Sequence, residues 1–174
     1  NFRVNPTNGQ PVDGDLGGAA GSVTGVNTGG AITGLPRGST GVGGASYTNS
    51  FGQSLTGGTT TQYAIDAASG SIYIQNTPNS GTETARLPIT LNGNPLVFTA
   101  VLGFEVLDGV SVSTSASPQT AAQGGRALAA LTVGGTTNVY SINLATGAAT
   151  LVGALGTGTT VARGLAVADA PAGT

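Results

Sequence analysis

The chain of 174 residues contains no cysteine, histidine, methionine, tryptophan or lysine. Each absence removes chemistry. Without cysteine there is neither a disulfide framework nor a thiolate metal site. Without histidine the usual general base and the commonest metal ligand are missing, and without lysine there is no Schiff-base amine. The five cations, Arg3, Arg37, Arg86, Arg126 and Arg163, are scattered among seven carboxylates. They cannot form a phosphate-tracking stripe, so nucleic acid is not an expected partner. No apolar run is long enough to span a bilayer. Classical catalysis is mostly excluded, no cofactor is implied, and the chain reads as non-enzymatic.

Methionine is missing even at position 1, and Asn1-Phe2-Arg3-Val4 already reads as a strand. The expectation is an exported precursor, trimmed at its front and working outside the cell or at its surface. Scarcity of Lys, Met, Cys and Trp suits an oxidation-resistant extracellular protein.

What the chain does have is Gly, 31 residues of it, with abundant Thr, Ser, Ala and Val. It also has an internal repeat. An aromatic, any residue, Val or Ile, Asn or Asp, three residues and Gly occur as Phe2-Val4-Asn5-Gly9, Tyr63-Ile65-Asp66-Gly70 and Tyr140-Ile142-Asn143-Gly147. In the third copy Val139 to Ile142 is an extended run, Asn143 to Gly147 supplies turn residues, and Ala149 to Leu155 returns as a second strand.

Further strands are expected at Ala45–Asn49, Thr60–Asp66 and Ser71–Asn76, the last with Ile72 and Ile74 inward and Tyr73 outward. Arg86–Leu91 and Pro95–Leu102 flank Asn92-Gly93-Asn94, a strong hairpin signal. Phe104–Leu107, Val110–Val112, Arg126–Val133 and Arg163–Val167 complete the set, about a dozen in all. Residues 17–44 read as a long Gly-rich loop or weak strands. Residues 113–125 read as a loop, because Pro118, Gly124 and Gly125 leave too little room for a helix.

This is an all-β pattern, with residues 1–168 as one domain and 169–174 as a tail or linker. A sandwich and propeller-like blades of roughly 40 to 50 residues both fit such spacing, and the repeat favours blades. Successive copies are 61 and 77 positions apart, too far for one regular blade each. About three or four blades then fit at most, and an incomplete ring leaves open sheet edges for a neighbouring chain to complete.

Several stretches also carry a family resemblance: GASYTNS at Gly44–Ser50, TQYAID at Thr61–Asp66, IQNTPNSGT at Ile74–Thr82, LGFEV at Leu102–Val106, and the run Ala130–Val167. In this order they resemble the bacterial domain-of-unknown-function family 4394. The resemblance covers most of the chain. It implies an exported, propeller-like protein whose members begin with further strands upstream of FRVNP, and it carries over no activity and no catalytic residues.

The polar residues have inexpensive structural explanations. Asp13 and Asp15 offer two carboxylates to Ca²⁺, which wants six to eight oxygens, and an acidic turn is the simpler reading. Glu83, Glu105 and Asp108 would have to stand at a defined separation to serve a glycosidase. Asn5, Asp66 and Asn143, with Gly9, Gly70 and Gly147, are expected to build turns, the Asx side chains bonding to amides two or three residues on. Tyr47 and Tyr73 are candidates for stacking on a sugar, although aromatics in strands are more often half-buried, as expected also for Tyr63 and Tyr140. The preferred function is a self-assembling subunit of a fibre, sheath or surface layer, paired through sheet edges with copies of itself. The alternative is a monomeric secreted binding module for a glycan or protein.

Overall fold

The computed structural model describes residues 3–4, 7–8, 11–12, 30–39, 41–48, 60–75, 80–112, 121–159 and 162–167. Among them are twelve strands and no helix: β1 (Arg3–Val4), β2 (Pro11–Val12), β3 (Gly44–Tyr47), β4 (Gln62–Asp66), β5 (Ser71–Gln75), β6 (Glu83–Pro88), β7 (Thr90–Leu91), β8 (Asn94–Pro95), β9 (Ala100–Val106), β10 (Arg126–Val133), β11 (Thr136–Asn143) and β12 (Ala148–Ala154).

Strands β3 to β6 form a four-stranded antiparallel meander in chain order, and β9 to β12 form a second one. The short β7–β8 hairpin joins the second sheet through a parallel pairing of β7 with β12, limited to Thr90 and Leu91 opposite Ala148 and Ala149. Strands β1 and β2 pair with each other as a separate two-stranded sheet.

Period-2 alternation sets the core. In the first sheet Tyr63 stands opposite Ile74, and Ile65 opposite Ile72. In the second, Ala127 lies between Val106 and Ile142, and Ala129 between Phe104 and Tyr140. Both Ala residues are fully buried, and their small size on the central strand lets the larger flanking side chains close over it. These faces of the two sheets share one hydrophobic cluster. Each fully buried Ile or Leu within it, such as Ile65, Leu131 and Ile142, contributes about 1.5–3 kcal/mol.

The chain passes from the first sheet to the second at Pro88–Thr90. The Ile89 amide donates to the Gly70 carbonyl (2.9 Å) and the Thr90 amide to the Gly147 carbonyl (3.0 Å). The corresponding glycines of two repeat copies thus hold adjacent residues of one crossover. A side chain at Gly147 is excluded twice over, by φ of 72° and by the Pro88 carbonyl oxygen 2.2 Å from where its Cβ would stand. In the next hairpin Asn92 and Gly93 have φ of 52° and 80°, as a two-residue turn with both central residues left-handed requires.

The other face of the first sheet is covered as well. Thr33 bridges in parallel to Thr82 at the β6 edge, donating its amide to the Gly81 carbonyl and accepting from the Glu83 amide (2.9 and 2.8 Å). Ser39 reaches the Asp66 carboxylate (2.8 Å), and the Gly43 amide bonds to the Ile65 carbonyl (2.8 Å) as the chain enters β3. Residues 33–39 and 41–43 thus contact this sheet from its β6 edge to β3 as a strap.

Several sequence expectations are corrected. Tyr73 does face away from the core cluster, but it is only 2% exposed because the second face is itself buried. Residues 162–167 are not a strand; Leu165 packs over β9 instead, 2.4 Å from the Cβ position that Gly103 leaves empty. Val110–Val112 is not a strand either, although Val110 and Val112 are both buried. The run Pro95–Leu102 is interrupted, since pairing ends at Pro95 and resumes at Ala100. Tyr63 and Tyr140 are fully rather than half buried. Asn5, Gly9, Asp13, Asp15 and the 169–174 tail lie outside the described residues.

Candidate functional site

The repeat turns are the best-defined polar features. Asp66 Oδ1 accepts from the Ala68 amide (3.2 Å) and Oδ2 from the Ser69 amide (2.9 Å). Asn143 Oδ1 accepts from the amides of Ala145 and Thr146 (2.9 and 3.1 Å). The same offsets, two and three residues on, serve both copies. Gly70 and Gly147 follow with φ of 58° and 72°. With Ser39 added, Asp66 receives three hydrogen bonds, and it is only 1% exposed. A cleft of about 490 Å³ opens beside it, walled by Val42, Phe98 and Val101. The carboxylate is thus committed to its turn and strap before any ligand could reach it.

Glu83 is different. It is 3% exposed, faces the strap side of the sheet opposite Gln75, and neither carboxylate oxygen has a hydrogen-bond partner. Burial, with the Asp66 charge adding to it, pushes its carboxyl up to about 7. Gln62 Oε1, two strands away on β4, is also buried without a partner. Glu105 is raised too, by burial first and then by Asp108, while the Ser46 hydroxyl acts the other way. Among the described residues there is no group of three or more His, Cys, Asp or Glu that could hold a metal.

Of the two candidate stacking rings only Tyr47 is exposed. Tyr73 is covered and donates its hydroxyl to Ser69 Oγ (2.9 Å), so stacking on a sugar there is ruled out by burial. Tyr47 on β3 is 36% exposed. Tyr63 lines a cavity of about 380 Å³ with Ile72, Leu87 and Leu144, and its hydroxyl accepts from the Ala122 amide (2.8 Å). Burial raises this phenol, the Ala122 bond partly offsetting it. Arg86, on the rim of the same cavity, is engaged with Ser71 Oγ (3.0 Å) and the Ser69 carbonyl (3.2 Å).

Among the strand residues whose side chains are described, the most exposed large apolar ones are Leu151 and Val152, on β12. Beyond Ala149 no described strand pairs with β12 on its outer side. The repeat shows what is missing. Counting four and five residues from the turn glycine gives Ile74 and Gln75 in one copy and Leu151 and Val152 in the other. Ile74 and Gln75 are each 2% exposed, flanked by the six-residue β6. Leu151 and Val152 are 52% and 62% exposed. Reasoning from sequence did not single out these two residues. The signal was available: ETARLP follows the second hairpin as a strand, whereas the glycine-broken GTGTTVARG follows the third.

The fold is therefore all-β, built of two meanders in open sheets, with β12 unpaired on its outer side beyond Ala149 among the described residues. The chain belongs to the family described as Domain of unknown function (DUF4394), whose profile matches residues 1–166. No curated protein and no solved structure gave a significant match. No helix among the described residues is long and apolar enough to cross a membrane.

Proposed function

We propose that the protein is a non-enzymatic structural subunit of propeller-like build, exported and assembled through sheet edges with its own copies into a fibre, sheath or surface layer. The observation behind this reading is the contrast between Ile74 and Gln75, covered by a third strand, and Leu151 and Val152, left in solvent at the same repeat positions. A free edge offers unpaired backbone donors and acceptors to any extended segment. Covering these two side chains would contribute about 1–2 kcal/mol each, in addition to the ladder bonds. A contact between two different surfaces of the same chain propagates into a filament when it does not close.

Analytical ultracentrifugation and negative-stain electron microscopy of the full chain test the reading. Wild-type protein assembles with increasing concentration, and Leu151→Pro, which removes an apolar contact and the amide two residues beyond Ala149 on the β7 side of β12, weakens assembly at least about tenfold. A wild-type chain that stays monomeric up to millimolar concentration would sink the proposal. The binding-module alternative draws on Tyr47, exposed on β3, and would be favoured by saturable glycan binding to a monomer.

A further inference from the structure

The cavity of about 380 Å³ beside Tyr63 is separate from the β12 edge, and its chemistry does not depend on assembly. Ile72, Ile74 and Leu87 of the first sheet form its walls together with Leu144, which follows β11 in the second. Ala85, Ala121 and Ala145 also border it, and all three are exposed. Methyl side chains at these solvent-facing positions leave the space open where longer ones would close it. Its volume falls within the range of small-molecule pockets, about 300–1,000 Å³.

Two features distinguish this space from a packing flaw. The first is the Tyr63 hydroxyl. Tyr63 is 2% exposed, its oxygen accepts from the Ala122 amide (2.8 Å), and its own proton has no acceptor among the described residues. A hydroxyl carries one donor, and burying it unused forfeits a hydrogen bond that water would have supplied. Ala122 borders the cavity too, so the donor stands at the cavity wall. The second feature is a β-bulge. Pairing steps from Ile72↔Leu87 to Ile74↔Thr84, which sets Ala85 and Arg86 together opposite Tyr73. Ala85 takes a φ of 50°, unfavourable for a residue with a Cβ, and both bulge residues border the cavity. Bulges and left-handed residues other than glycine concentrate beside ligand sites.

Charge narrows the ligand. Among the described residues bordering the cavity, Arg86 alone is charged, and its guanidinium bonds to Ser71 Oγ and the Ser69 carbonyl. Ser71 shares with Tyr73 the face of β5 opposite to Ile72 and Ile74, so that charge is held on the far side of the sheet. An ionised ligand would therefore be buried without a counter-charge. A ligand hydroxyl would bring another donor in need of a partner, whereas a carbonyl oxygen accepts and brings none. We infer that the cavity binds a small, uncharged, largely apolar carbonyl compound, whose oxygen accepts from the Tyr63 hydroxyl while its body lies against Ile72, Ile74, Leu87 and Leu144.

Acetophenone and α-methylstyrene test this, because they share a shape and differ in having C=O or C=CH₂ at one position. Each is titrated by calorimetry into the dilute full-length chain and two variants. Acetophenone is expected to bind wild type saturably, one molecule per chain, with a sub-millimolar Kd. Tyr63→Phe should weaken acetophenone at least about fivefold and α-methylstyrene less than about twofold, since only the ketone loses a hydrogen bond. Ala145→Trp, at an exposed turn position on the cavity border, should weaken both at least about tenfold by filling the space. Absence of saturable acetophenone binding to wild type up to millimolar concentration would overturn the inference. So would undiminished binding to the Ala145→Trp chain, which needs no change in the buried residues. Tyr63→Phe affecting the two compounds equally would overturn the assigned donor and with it the carbonyl class. None of these outcomes bears on assembly, which sedimentation reads separately.

Discussion

Ionisation of Glu83 makes stability depend on pH in an unusual direction. The side chain is buried and its oxygens are unpartnered, and its carboxyl is raised from 4.5 to about 7 by burial and by Asp66. The folded chain therefore holds this proton more tightly than the unfolded chain does. Below about 4.5 both states are protonated and the contribution is complete; from there to about 7 the unfolded chain ionises first and stability falls. At 1.36 kcal/mol per pH unit of separation, the loss is about 3 kcal/mol. For a chain of this size that is a drop of roughly 5–10 °C in Tm between pH 4.5 and 7.5. Glu83→Gln keeps the shape and cannot ionise. It should melt about 1 kcal/mol below wild type at pH 4.5, where its amide protons are left unpaired, and above wild type at pH 7.5. Thermal melts followed by circular dichroism in dilute protein, at fixed ionic strength from pH 4 to 8.5, measure this. Curves for the two proteins that run parallel throughout would refute the reasoning.

Gly147→Ala should cost more than about 2 kcal/mol, combining left-handed strain with the Pro88 clash, while Gly93→Ala, left-handed with open space around it, costs about 1; chemical denaturation of the pair checks the difference. Tyr63→Phe should cost about 1–3 kcal/mol by stranding the buried Ala122 amide, and its Tm should fall without any change in the assembly midpoint.

Legibility from sequence followed how local each determinant is. The repeat marked Asp66 and Asn143 as turn residues because an Asx bond spans only two or three positions, and Asn92-Gly93 marked its hairpin for the same reason. The alternation in SIYIQ put Ile72 and Ile74 inward correctly. It could not show that the face carrying Tyr73 would be buried too, because the contacts that Thr33, Ser39 and Gly43 make with this sheet span tens of intervening residues. Nor could it single out Glu83, whose pKa depends on what lies above it rather than on its neighbours in the chain. Leu151 looked like any core strand residue. Only the comparison with Ile74, made after pairing was known, showed that its covering strand was missing. Arg163–Val167 had strand composition but settled across β9 at Gly103 instead.

The two carbonyls of Gly70 and Gly147 grip consecutive amides, at Ile89 and Thr90. Sliding one meander past the other would therefore load the two bonds in series through the Ile89–Thr90 dipeptide. A cable spun from such subunits would resist shear at that dipeptide, and under tension its copies would be expected to part at their mutual contacts before either half of a subunit gave way.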